Sequence, residues 1–82
     1  MKYQIDLHGI HCHGCINLVR MTLEDLELQN VNLFDLDLVK QFGHAEFNSE
    51  LDEKTLTDKL NSAFAELKEH GYSYNNLISI KH

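Results

Sequence analysis

Tyr3-Gln4-Ile5-Asp6-Leu7-His8-Gly9-Ile10-His11-Cys12-His13-Gly14-Cys15-Ile16 decides how this chain is read, because the residue pattern changes twice within it. Tyr3, Ile5 and Leu7 alternate with Gln4, Asp6 and His8, the period of two expected of a strand with one buried face. The glycine-containing residues 9 to 14 break that pattern. From Ile16 the apolar positions Val19, Leu23 and Leu26 recur at steps of three or four, one stripe of an amphipathic helix expected to end near Glu27 to Asn30. Both cysteines of the chain, spaced C-x-x-C, fall in the turn between strand and helix. Two intervening residues let both sulfurs converge on one point, either a metal ion or each other. Cys15 is expected in the first helical turn, where free backbone N–H groups and the positive end of the macrodipole favour an anion. A thiolate is both metal ligand and nucleophile, and such a position lowers a cysteine pKa from roughly 8.5 toward neutrality.

Downstream, Phe34, Leu36 and Leu38 alternate with Asp35 and Asp37, and Gly43, Ala45 and Phe47 alternate with His44 and Glu46. Two strands joined near Lys40-Gln41 fit this spacing, although the turn lacks Asn-Gly or Asp-Gly. Asp52 is positioned to cap a second helix with a stripe of Leu56, Leu60, Ala63 or Phe64, and Leu67, and Gly71 is placed to stop it at C′. Tyr74 to Lys81, with Leu77, Ile78 and Ile80, reads as a last strand. The order β-α-β-β-α-β predicts an α+β, ferredoxin-like sandwich, a four-stranded antiparallel sheet with two helices on one face, because that arrangement buries every apolar face just named. Residues 1–82 are expected to form a single domain.

At 82 residues the chain exceeds the roughly 40-residue limit below which a metal or disulfide is usually needed for folding. A bound metal is therefore expected to be cargo. With 43% hydrophobic residues, 24% charged residues and no proline, the composition is that of an ordinary globular protein. Seven basic against thirteen acidic residues, a formal charge of −6, argue against nucleic acid as the ligand. A basic partner surface would be favoured, but such a charge often does no more than maintain solubility. Met1 to Leu7 contains no uninterrupted apolar core of a signal peptide, and no later run reaches the ~18 residues that span a bilayer. No membrane insertion and a cytoplasmic location are the resulting expectations, and in that setting a structural disulfide is not expected.

Several features together resemble the heavy-metal-associated (HMA) domain family of copper chaperones, mercury-binding proteins and metal-transporting P-type ATPases. They are Gly9-Ile10-His11-Cys12-His13-Gly14-Cys15 after the first strand, Val19 with Leu23 and Leu26, Asn30-Val31, and Gly71-Tyr72. The resemblance covers nearly the whole chain. It departs from the family pattern in Ile10 for Met, a similar-sized apolar exchange, and in Asn30 for Gly, where Asn is the side chain most tolerant of left-handed backbone. Helix one or its exit is also longer by about two residues and helix two by about a turn than the family pattern. What the resemblance implies is a metallochaperone or metal-delivery domain that carries Cu(I) on Cys12 and Cys15. It would pass the ion to a metal-transporting P-type ATPase or another metal-binding domain by stepwise ligand exchange. The implied state is a monomer or a dimer bridged by the metal, with Tyr72 and Ile10 shielding the site.

Two thiolates on an exposed turn also suit Hg(II), and with further ligands Zn(II). A closed structural zinc site needs four ligands, and the chain has two cysteines. His13 and His11 flank the thiolates and are candidate secondary ligands or tuning residues; His11 is expected to point to solvent, and His13, between the cysteines, is the better candidate for tuning affinity or pH response. The plainer reading, that both are simply exposed loop residues, is the preferred one. Gly14 is expected to let the backbone turn into the helix. Leu18 and Met21, off the main stripe, could form an apolar docking patch beside the cysteines. Two alternatives stand beside metal transfer. One is a thiol-disulfide redox protein, disfavoured because the thioredoxin pattern requires prolines. The other is a metal-free interaction module of the same fold. No catalytic constellation other than the dithiol is present, so an enzyme is not expected.

Overall fold

β1 (Lys2–His8) points Tyr3, Ile5 and Leu7 into the core, each at most 1% exposed, as its alternation requires. The computed structural model describes residues 1–80. β1 lies in the middle of a four-stranded sheet of order β2-β3-β1-β4, formed with β2 (Gln29–Asp37), β3 (Phe42–Asn48) and β4 (Ser73–Ile80). All three pairings are antiparallel. Helices α1 (His13–Asp25) and α2 (Glu53–Leu67) complete the expected β-α-β-β-α-β order. Val19 and Leu23 of α1 and Leu56, Leu60, Phe64 and Leu67 of α2 join the inward residues of β1 and β3 in one buried cluster. Both helices therefore cover the same sheet face, and the ferredoxin-like α+β arrangement is present.

The ends of α2 follow local chemistry. Asp52 has the extended backbone of an N-cap and its carbonyl accepts the Leu56 N–H at 2.9 Å. After α2 a short 3₁₀ turn (Lys68–His70) runs into Gly71 at φ 88°. There the Gly71 N–H donates to the Lys68 carbonyl at 3.0 Å and the Tyr72 N–H to the Leu67 carbonyl at 3.1 Å, the paired bonds of a Schellman motif. Gly71 thus occupies the expected C′ position, and the motif aims Tyr72 back into the core. The β2–β3 turn is organised by Asp37, whose carboxylate accepts the Val39 and Lys40 N–H groups, both at 3.0 Å. This side-chain turn takes the place of Asn-Gly.

Three expectations are corrected. Helix α1 stops at Asp25, short of Glu27–Asn30, because Glu27 takes φ 63° and ends the helical path. Of Phe34, Leu36 and Leu38, the last two pack against the core as expected, joined by Val31 and Leu33, while Phe34 does not share their face. Asp35 at φ 51° inserts a bulge that switches the phase, leaving Leu33 at 8% exposure and Phe34 on the outer face against His44. Gly14 lies inside α1 without positive φ, and the residue that turns the chain is Gly9 at φ 85°. Asn30, at φ 55°, does adopt the left-handed backbone anticipated for it. The expected last strand is present as β4, with Lys81 outside the described residues.

Candidate metal centre

The loop between β1 and α1 is held from two sides. The Gly9 N–H donates to the Gln41 carbonyl at 2.8 Å. On the other side the Gly9 Cα lies so close to the Gly71–Tyr72 backbone that an added Cβ would overlap the Gly71 carbonyl. Only glycine fits this approach, and only glycine adopts its φ without penalty. Ile10, 1% exposed, then anchors the loop in the core. The next residues are left at the surface: His11, Cys12, His13 and Gly14 are all exposed.

Cys12 is the N-cap of α1, and its sulfur accepts the Cys15 backbone N–H at 3.4 Å. A cysteine here does the work usually given to Ser or Asp at a cap. One turn on, Cys15 points inward and is 1% exposed. The two thiols are free, with their sulfurs 2.8 Å apart. Beneath them the Tyr72 hydroxyl, 57 residues away in sequence, donates to Cys15 Sγ at 2.7 Å. Tyr72 is buried, so the pair is shut off from bulk water on the core side.

These contacts set the acidity of the site. Burial pushes the Cys15 thiol up, but hydrogen bonds from Cys12, from Tyr72 and from the His11 and Cys12 backbone outweigh it and bring the pKa down to about 7. The phenol responds in the opposite sense. Its hydrogen bond to Cys15, then burial, then the negative charge of the two cysteines push Tyr72 up to about 12. A buried sulfur that is half ionised near neutrality, beside an exposed one, is a ready soft-ion ligand pair.

Among the described residues, one group of three side chains comes close enough to hold a single ion: His11, Cys12 and Cys15, with ligand atoms within 4.8 Å of one another. His11 is exposed, yet its ring turns back toward the sulfur rather than away, with Nδ1 3.7 Å from Cys15 Sγ. His13 is not part of the group; of the two histidines it is His11 that the fold brings to the thiols. The reason is that His11 precedes the N-cap and can fold over it, whereas His13 opens the helix. Of the anticipated docking residues, Met21 is 61% exposed, while Leu18 packs partly against the core. The tie between Tyr72 and Cys15 had no local sequence signal, since it arises from the Schellman turn and the close approach of Gly9 to Gly71.

No helix among the described residues is long and apolar enough to cross a membrane. No family model, curated protein or solved structure matches the chain, so the assignment of this site stands on its geometry and donor chemistry.

Proposed function

We propose that this chain carries a soft metal ion, Cu(I) before Zn(II) or Hg(II), on Cys12 and Cys15, and delivers it to a partner bearing thiolates of its own. The observation that carries this reading is the asymmetric pair of free thiols at the α1 N-terminus, with Cys15 buried beneath Tyr72 and Cys12 exposed. The buried thiolate retains the ion while the exposed one can be exchanged for an incoming ligand. A low coordination number keeps that exchange open, and soft sulfur donors favour Cu(I). The resemblance to heavy-metal-associated domains supplies the partner class, a metal-transporting P-type ATPase or a second metal-binding domain.

The same asymmetry weighs against a thiol-disulfide oxidoreductase. Attack on a substrate disulfide requires an accessible thiolate, and here the acidified thiol is the buried one. The test is anaerobic Cu(I) titration of the reduced protein against a chromogenic chelator, repeated on Cys12→Ser/Cys15→Ser and with Zn(II). One equivalent of tightly held Cu(I), lost in the double variant, is the expected result. Failure to compete for Cu(I), or equal binding by the double variant, would overturn the carrier reading. Tighter binding of Zn(II) than of Cu(I) would overturn the choice of cargo.

A further inference from the structure

The two helices do not close on each other along their whole length. Between them runs an open furrow of about 700 Å³. Its α2 wall is one stripe of that helix, Thr55, Asp58, Ser62, Ala63 and Glu66, facing Thr22, Asp25 and Leu26 of the α1 end. Thr22, Leu26 and Ala63 are half-buried and make the floor, while the acidic residues stand exposed on the rim. A second hollow, of about 480 Å³, shares Leu26, Glu27 and Lys59 with the furrow and continues it to Gln29 and Asn48. Gln29 and Lys2 both pair with Asn48, whereas the cysteine loop leaves the sheet at its opposite end, where His8 pairs with Phe42. The joined trough therefore reaches the end of the sheet away from the metal centre.

Five exposed carboxylates rim the trough: Asp25, Glu27, Glu50, Asp58 and Glu66. Against them stand Lys59 and the Met1 ammonium, which is engaged by the Ser49 carbonyl at 3.0 Å. Among the described residues none of the five is ion-paired, the pairs being Lys2 with Glu46 and His44 with Asp6. Their placement also runs against the electrostatics of α1. Its last turn holds Glu24 and Asp25 and no base, and Glu27 follows at once. That is the negative end of the macrodipole, where a cation is favoured. Negative potential is thus gathered at the trough rather than neutralised, a departure from local preference of the kind that marks functional surfaces.

We infer that the trough is a docking groove for an extended, Lys- or Arg-bearing segment of a partner protein, its apolar side chains resting on Leu26 and Ala63 and its cations meeting the rim. Charge complementarity selects the sign of the partner, and the shape selects a chain over a compact ion. From Thr55 to Glu66 the α2 wall runs about 16 Å, the reach of about five residues of extended backbone, and the second hollow lengthens it. The half-buried floor asks for apolar contact, which a small polycation supplies poorly. Docking here is independent of what the cysteines carry, because a partner held in the trough leaves the loop at the other end of the sheet uncovered.

The test uses the ¹⁵N-labelled, reduced protein and a synthetic peptide of alternating lysine and leucine, acetylated and amidated, read by ¹H–¹⁵N shift mapping and by fluorescence anisotropy of a labelled copy. The expected result is saturable binding, with shifts confined to the trough and an affinity that falls as salt rises. Asp58→Asn/Glu66→Gln, both at exposed positions, should bind about 2- to 30-fold more weakly, the range that two exposed ion pairs contribute. Asp35→Asn/Glu69→Gln, with the same loss of charge outside the trough, should match the parent. Equal weakening by both double variants, or shifts scattered over the acidic surface, would show attraction to net charge alone and overturn the groove. Spermine that binds as tightly as the peptide with the same shifts would overturn the choice of a peptide occupant. A peptide that fails to bind would overturn the docking groove outright, while Cu(I) titration of the same sample reports separately on the metal reading.

Discussion

Replacing Tyr72 with Phe deletes one oxygen and keeps the buried ring, so it isolates the hydroxyl that donates to Cys15 Sγ at 2.7 Å. A hydrogen bond to a charged group contributes about 1.5–3 kcal/mol, and a pKa unit corresponds to about 1.4 kcal/mol. Losing the bond should therefore raise the Cys15 pKa from about 7 by roughly one to two units. At pH 7 the thiolate fraction would fall from about one half to between about one tenth and one hundredth. A thiol must lose its proton to bind a metal, so the apparent affinity for Cu(I) at pH 7 should drop about 5- to 50-fold, and the deficit should close toward pH 10. The assay is a ¹³Cβ-cysteine NMR titration, which distinguishes Cys15 from Cys12, paired with Cu(I) competition at pH 7 and pH 10. An unchanged Cys15 titration in Tyr72→Phe, or an affinity deficit equal at both pH values, would refute the reasoning.

The same shifts make stability depend on pH in the reduced, metal-free protein. Cys15 is lowered from its ordinary value of 9.0 to about 7, so ionisation adds at most about 3 kcal/mol, fully present above pH 9 and lost as pH falls through 7. Tyr72 is raised from 10.0 to about 12, so its contribution is present below pH 10 and lost as pH rises through 12. Urea midpoints should accordingly rise from pH 6.5 to pH 9, and a flat profile would contradict the assigned contacts. Gly9→Ala should destabilise by more than about 2 kcal/mol, since it adds a backbone overlap to a left-handed penalty of about 1–2 kcal/mol, while Gly71→Ala, with open space around its Cβ, carries only the penalty. Equal urea midpoints for the two variants would show that the close approach to Gly71 does not matter. Gly14→Ala should stabilise by about 0.5–1 kcal/mol, because it lies in the helix and the new Cβ meets only Cys12 Sγ at 3.8 Å, and a lower midpoint would contradict that placement.

What could be read from residues was what short-range periodicity encodes. Tyr3, Ile5 and Leu7, Gly43, Ala45 and Phe47, and Leu56, Leu60 and Leu67 all lie inward as their spacing required, and from these the topology followed. The inward set of β2 was not legible, because a single left-handed residue, Asp35, shifts the phase of everything beyond it. A residue-by-residue alternation cannot reveal that. Cys12 and Cys15 were visible as a pair through their spacing, and Gly71 as a helix stop through its type. The roles of His11 and Tyr72 depend on where two separate backbone turns meet, with Gly9 resting on Gly71. That is a tertiary contact between residues 62 positions apart, beyond the reach of any local window.

The left-handed residues in the outer strands have a consequence for how copies of the molecule coexist in a crowded solution. The sheet has two edges, β2 and β4, and each is interrupted: β2 at Asn30 and Asp35, β4 at Asn76, all with positive φ and all where the ladder slips. A regular edge presents an unbroken row of unpaired N–H and C=O groups on which another chain can template, and bulges twist that row out of line. The central strands β1 and β3, whose ladder between them is unbroken, are covered on both sides by these interrupted ones. Strand-to-strand stacking is thereby discouraged along both flanks of the sheet.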